Sequence, residues 1–259
     1  MEKLPANTGW HWVKQGFALF RQQPGGLSTL FLGYMLIMLL IGSVPLLGQL
    51  LPVILVPVFS IAFMQACNDI EQGKRISPKR LLIGFRKPVF AVLFTLGLLY
   101  LAMAALALGV SALADDGVFF KLLTGQIEPA AAKNANLGGA MLLALLIYIP
   151  GAMAFCFAAP LIYWQNMSLG KAIFFSFFAV LRALKAFVVF ILGWFGISVV
   201  LSQVVILVFG ARESAMMVML PISVILTVML HCSFYASYRQ IFGAPQPEAA
   251  PAPLPIDEE

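Results

Sequence analysis

Charge is what this sequence has least of. Asp, Glu, Lys and Arg make up 10% of its 259 residues, where a soluble globular domain carries roughly 25%. With 61% hydrophobic residues and a mean hydropathy of +0.96, that shortage excludes both a water-soluble enzyme and a disordered chain. Cysteine is also scarce. Cys67, Cys156 and Cys232 show no C-x-x-C spacing and His11 and His231 are far apart, so neither a disulfide scaffold nor a metal site is expected. The serine-hydrolase, zinc-protease and phosphate-loop motifs G-x-S-x-G, H-E-x-x-H and G-x-x-x-x-G-K-[ST] are missing. No catalytic, metal-binding or cofactor-binding residue is assigned, and the chain reads as a non-enzyme.

What is present is long, uncharged, apolar sequence. Five blocks contain no Asp, Glu, Lys or Arg: Leu27–Cys67, Val89–Ala114, Gly138–Trp164, Ala186–Gly210 and Ser214–Tyr238. The last four are each long enough for one tilted membrane helix, at about 20 residues per span, and too short for two. The first is twice the needed length. Gly48-Gln49 near its middle, flanked by Pro45 and Pro52, reads as the turn of a helical hairpin. The spans predicted are 27–47, 50–67, 89–114, 138–164, 186–210 and 214–238. A β-barrel would need alternating apolar and polar residues in ten-residue segments, and these runs do not alternate. The fold class is therefore all-α: a six-span transmembrane helical bundle with interfacial amphipathic helices.

Orientation follows from basic residues in short loops. With the N-terminus inside, thirteen of the sixteen Lys and Arg lie inside: Lys3, Lys14, Arg21, Lys74, Arg75, Lys79, Arg80, Arg86, Lys87, Lys171, Arg182, Lys185 and Arg239. Only Lys121, Lys133 and Arg212 lie outside. Both termini are expected in the cytoplasm. The net charge of +5 then reflects topology and anionic headgroups rather than nucleic-acid binding. Residues 1–26 are not expected to act as a cleavable secretory signal, since the first apolar run has full span length.

Three segments outside the spans are amphipathic. Residues 9–23 place Trp10, Val13, Phe17 and Phe20 on one face and His11, Lys14, Gln15, Arg21 and Gln22 opposite, as in an interfacial helix. Pro24-Gly25-Gly26 then turns the chain into the first span. A second helix starts at Ser77 as cap and Pro78 as first residue and ends at Pro88. Leu81, Leu82 and Phe85 would share one face, Lys79, Arg80, Arg86 and Lys87 the other. Residues 168–185 repeat the pattern with Lys171, Arg182 and Lys185 along one stripe, joined closely to the fifth span. Residues 1–242 form a single membrane domain. Residues 243–259, rich in Pro and Ala, read as a disordered cytoplasmic tail able to recruit a protein partner.

Trp10-x-Trp12, Phe17-x-x-Phe20-Arg21-x-x-Pro24, the hairpin, and Gly73-Lys74-x-x-x-Pro78-x-x-Leu81-Leu82-x-Gly84-Phe85-Arg86 resemble a family of uncharacterised proteobacterial inner-membrane proteins. The likeness covers mainly residues 9–95. It implies an inner-membrane location and a helical bundle, and it transfers no catalytic residue.

The candidate sites follow from these placements. Lys79, Arg80, Arg86, Lys87, Trp10 and Trp12 are candidate contacts for anionic lipid or a partner. His231 is the single ionisable residue within a span, and with Ser202 and Gln203 it marks a candidate intramembrane polar site. No carboxylate lies within a span, which argues against a proton-coupled pump. Asp69, Glu71, Lys74 and Arg75 cluster just below the second span and read as a solvated loop, the alternative being a headgroup or substrate site. Ala102, Ala105, Gly109 and Ala112 form a small-residue stripe for internal packing or self-association, to which Ser198, Ser202 and Gln203 could cross-link.

Two patterns run along the whole chain. At an offset of 97 residues Gly73-Lys74 matches Gly170-Lys171, Ile76 matches Ile173, Phe90 matches Phe187 and Val92 matches Val189, an echo relating helices two and three to four and five. Proline lies inside every inward-running span (Pro52, Pro57, Pro150, Pro160, Pro221), which can mark a binding site or simply be tolerated. The expected function is a non-enzymatic membrane scaffold or assembly factor. The alternative is a passive transporter or channel for a small neutral or zwitterionic solute.

Overall fold

The computed structural model describes residues 4–45, 47–128, 136–210 and 213–245. Lys3, Lys133, Arg212 and nearly all of the tail lie outside the described residues. Among those described there is no strand. Ten α-helices and one 3-10 helix follow in order: α1 Thr8–Gln22, α2 Pro24–Gly42, α3 Leu47–Glu71, η1 Pro78–Phe85, α4 Val89–Asp115, α5 Val118–Leu123, α6 Leu137–Phe155, α7 Ala158–Gln165, α8 Leu169–Arg182, α9 Leu184–Phe209 and α10 Glu213–Phe242. Six helical stretches are long and apolar enough to cross a membrane: α2, most of α3, α4, α6 with α7, α9 and most of α10. The end carrying α1, η1 and α8 is called the basic end below.

Sequence signals mark several boundaries. Pro24 opens α2 as its first residue, Ser77 accepts the Lys79 N–H at 3.4 Å, and Pro78 opens η1. The first hairpin turns earlier than Gly48-Gln49, in the segment that follows Gly42. Gly48 lies inside α3, where a Cβ would sit 2.7 Å from the Ile41 carbonyl oxygen. Its role is close approach of α3 to α2, and hydropathy does not separate that from a turn.

Span four is not one helix. It breaks between Phe155 and Ala158, ahead of Pro160, which has no N–H to offer the Cys156 carbonyl. The Ser176 hydroxyl of α8 enters the break, accepting the Phe157 N–H at 2.8 Å and donating to Met153 O at 2.9 Å. Those two groups would otherwise bond each other along the helix. Tyr100 of α4 donates to Phe155 O at 3.2 Å beside it. The broken ladder is thus re-satisfied by neighbours, which is what permits it at membrane depth.

Two amphipathic elements differ from expectation. α1 does not lie on lipid by its apolar face. Thr8, Gly9, Trp12, Val13, Gly16, Leu19 and Phe20 are buried, and this face packs against α9 and α10. Gly9 and Gly16 permit the approach, rotating the contact away from the face that Trp10 and Phe17 define. The second element is a 3-10 helix, whose period of three separates Leu82 and Phe85, both exposed, from the buried Leu81, Ile83 and Gly84.

The packing divides the chain into three units, each an amphipathic element followed by two spans: α1 with α2 and α3; η1 with α4 and α6–α7; α8 with α9 and α10. Each amphipathic element packs mainly on a different unit. α1 lies on α9 and α10, η1 on α2 and α3, α8 on α6 and α7. The relation is cyclic. The 97-residue echo pairs corresponding parts, α3 with α6–α7, η1 with the second half of α8, and α4 with α9. Each amphipathic element also closes on one pattern: Phe17-x-x-Phe20-Arg21, Leu82-x-x-Phe85-Arg86, Phe178-x-x-Leu181-Arg182. The three proline-bearing stretches, α3, α6–α7 and α10, are the second spans of their units, and they meet at the basic end.

Candidate functional site at the basic end

Where those three stretches meet, polar side chains converge under an aromatic cluster. The last turns of α3 carry Gln65, Asn68, Asp69 and Glu71. Gln65 donates to Asp69 Oδ1 at 3.0 Å and accepts the Trp164 indole N–H of α7 at 3.0 Å. Asp69 is 1% exposed and ion-paired with Arg80 of η1, Nε to Oδ2 at 2.6 Å. From α10, the Tyr235 hydroxyl donates to Glu71 Oε2 at 2.8 Å and lies 3.2 Å from the Asn68 carboxamide oxygen, while Arg239 pairs with Glu71. Gln165 of α7 donates to the Tyr238 hydroxyl at 3.3 Å. Phe157 stacks on Phe234 at 5.1 Å just above. α1 joins through Trp12, whose indole donates to Gln240 at 2.6 Å.

Each junction carboxylate faces an arginine, and the amides and hydroxyls are occupied by one another. The arrangement ties three units and two amphipathic elements into one body. Two cavities flank it. One, of about 390 Å3, lies against Trp164, Gln165, Tyr238 and Phe242. The other, of about 320 Å3, lies between α1 and α10 against Gln15, Gln22, Glu71 and Arg239.

The sequence candidates scatter around this junction. Arg80 is held by Asp69, so the reading of Asp69 as part of a solvated loop is corrected: a carboxylate this buried is stable only when paired, whereas Glu71 is exposed and pairs with Arg239. Lys74 and Arg75 are exposed. Lys79, Arg86 and Lys87 lie on the exposed rim of η1. Trp10 is half-exposed, but Trp12 is fully buried between Phe187 and Phe190, which removes it as a lipid contact.

The intramembrane candidates do not converge. His231 donates from Nδ1 to Thr227 O at 2.7 Å and packs between Phe63, at 4.8 Å, and Phe31, at 6.3 Å. Ser198 and Ser202 bond carbonyls of their own helix, Trp194 O and Val199 O, and Gln203 is exposed on α9. His231 lies eighteen residues past Glu213 in α10 and Ser202 seven before Phe209 in α9. At 1.5 Å per residue that separates their depths by about 16 Å. Of the small-residue stripe, Ala102, Ala105 and Gly109 face outward and Ala112 is half-buried, which leaves self-association rather than internal packing as its reading.

The junction itself was missed in the sequence. Polar residues at 65, 68 and 69 share one helical face, and Tyr235 and Tyr238 are spaced to meet them, but hydropathy files such residues as the end of a span.

Over 265 aligned residues the chain is 39% identical to a probable inner membrane protein of Burkholderia thailandensis, covering 98% of each. No protein-family model and no solved structure matches the chain.

Proposed function

We propose, from the premise that the chain belongs to a family of proteobacterial polytopic inner-membrane proteins, that it is a non-enzymatic membrane scaffold or assembly factor. Its basic end and both termini face the cytoplasm, where amphipathic elements grip anionic lipid and the tail is available to a partner. The observation that carries this reading is the division of labour in the structure. Polar groups at the junction are engaged with one another, while exposed cations and phenylalanines gather at the same end on η1 and α8. The transporter alternative asks the proline-bearing helices to surround a midplane site, and the polar candidates nearest that depth do not converge: His231 of α10 is about 16 Å in depth from Ser202 and Gln203 of α9.

Orientation is tested with Cys67, Cys156 and Cys232 replaced by alanine and single cysteines introduced by Gln126→Cys or Ala250→Cys. In intact cells an impermeant maleimide should label the first, and the second only after permeabilisation. The reverse pattern sinks the reading. Reconstituted protein that shows no preference for anionic over zwitterionic lipid would remove the lipid grip.

A further inference from the structure

The longest carboxylate-free stretch of this sequence lies between Glu128 and Glu213. α8 and its junction with α9 sit inside it and carry Lys171, Arg182 and Lys185. All three are exposed, and among the described residues none has a hydrogen-bond or ion-pair partner. The inner face of α8, Ala172, Ser176, Ala179 and Val180, is buried. Its outer face leaves Phe174 58%, Phe175 45% and Phe178 40% exposed. At 3.6 residues per turn Lys171, Phe175, Phe178 and Arg182 fall on one line, with Phe174 and Leu181 beside it and Lys185 just past Ala183. Cations and aromatics therefore share a face. In an ordinary interfacial helix they lie opposite.

The depth of that face follows from its contacts. Phe157 lies 5.8 Å from Phe187 near the start of α9 and 5.4 Å from Phe242 at the end of α10. Ser176 bonds the Phe157 N–H, so α8 sits at the level where one span begins and another ends. Water there would leave three phenylalanines wet, and hydrocarbon would strand three cations. The headgroup layer satisfies both, with rings toward the acyl chains and Lys and Arg stems reaching phosphate.

The other two amphipathic elements are less suited. α1 gives its apolar face to α9 and α10, and Arg80 of η1 is held by Asp69. We infer that the outer face of α8 is the anionic-phospholipid surface of this protein, with Lys171, Arg182 and Lys185 engaging the phosphates. The inference rests on the lipid-gripping reading above and moves its centre from η1 to α8.

The test uses the full chain in phosphatidylcholine vesicles doped with spin-labelled phosphatidylglycerol or phosphatidylcholine. The motionally restricted fraction gives the relative association of the two lipids. Wild type should prefer phosphatidylglycerol about threefold or more, a preference that salt weakens. The triple variant Lys171→Gln, Arg182→Gln, Lys185→Gln should lose at least half of that preference. Lys79→Gln with Lys87→Gln should keep it, and so should Lys171→Arg with Lys185→Arg. Circular dichroism and the thermal midpoint establish that each variant is folded. A preference retained by the triple variant, or lost as fully from η1, overturns the inference and leaves the lipid-gripping reading standing. Absence of any preference in wild type fells both.

Discussion

Gly16→Ala is the sharpest test of where α1 lies. A Cβ built at Gly16 falls on Ser233 Oγ, 2.6 Å from the Ser233 backbone nitrogen and 2.8 Å from its Cα. Rotating the hydroxyl away does not solve the contact, because two of the obstructing atoms are backbone. α1 must lift from α10 by about 1 Å, and a gap of that size already forfeits a quarter to a half of each dispersion contact it opens. The contacts at risk are those of Trp12, Val13, Leu19 and Phe20. Overpacking of this kind costs roughly 1–3 kcal/mol, and an immovable neighbour puts it at the upper end. Against it stands about 1 kcal/mol gained by replacing a mid-helix glycine with alanine, so the net loss should be about 2 kcal/mol. Gly25→Ala is the control, since nothing lies within 4 Å of its Cβ position. Denaturation of detergent-solubilised protein reads the stability, and amide hydrogen exchange reads the seating of α1. The reasoning fails if Gly16→Ala is as stable as wild type with unchanged α1 protection. It fails equally if Gly25→Ala in α2 loses as much, because an added methyl there meets nothing and the loss at Gly16 would then owe nothing to the contact with α10.

Two further predictions concern the junction. Arg80→Gln strands a buried carboxylate and should destabilise by about 3 kcal/mol; Asp69→Asn in the same chain should restore most of that in denaturation experiments, whereas Lys79→Gln should be nearly silent. Cys67 and Cys232, on α3 and α10, hold their sulfurs 3.6 Å apart. Diamide, accepting two hydrogens, should convert the pair to one intramolecular disulfide, read by mass spectrometry as a loss of about 2 Da with Cys156 still free; crosslinked dimers would show that α3 and α10 do not meet this way.

Much of this fold was legible because a span is an average over about twenty residues, and one misplaced residue does not alter it. The six spans rest on such averages, while the Ser77 cap and Pro78 helix start rest on single residues whose chemistry is local; Pro24, read as a break before a span at Leu27, instead opens α2. What hydropathy could not supply was proximity. Gly16 and Gly48 carry no apolar weight, yet they decide which face of α1 is buried and where α3 meets α2. Ser176 reads as an amphipathic-helix serine until a broken helix lies beside it. Asp69 looks solvated until Arg80, eleven residues on, folds back over it. The candidate site was the least legible part, because it is assembled from the ends of three spans that sequence reading treats as boundaries. The echo of 97 residues was visible, but one offset cannot reveal three units that close a ring.

That ring gives Ser176 a meaning beyond its hydrogen bonds. In each unit a small residue of the amphipathic element meets a proline-bearing stretch of another unit: Gly16 against Ser233 of α10, Gly84 against the Val58 carbonyl of α3, Ser176 against the Met153–Phe157 turn between α6 and α7. Two of these contacts are made by bringing backbones together. The third is made by inserting a hydroxyl into an opened ladder, and it is the one that joins α8 to the rest of the protein. Ser176→Ala keeps the approach and removes the bridge, leaving a buried N–H and a buried carbonyl without partners. The expected loss is about 1–3 kcal/mol, with faster hydrogen exchange at Phe157 and in α8 and little change in α1. If Ser176→Ala matches wild type on both counts, the break is set by Pro160 alone, the hydroxyl is incidental, and the contact of α8 with α6–α7 cannot be what closes the three units.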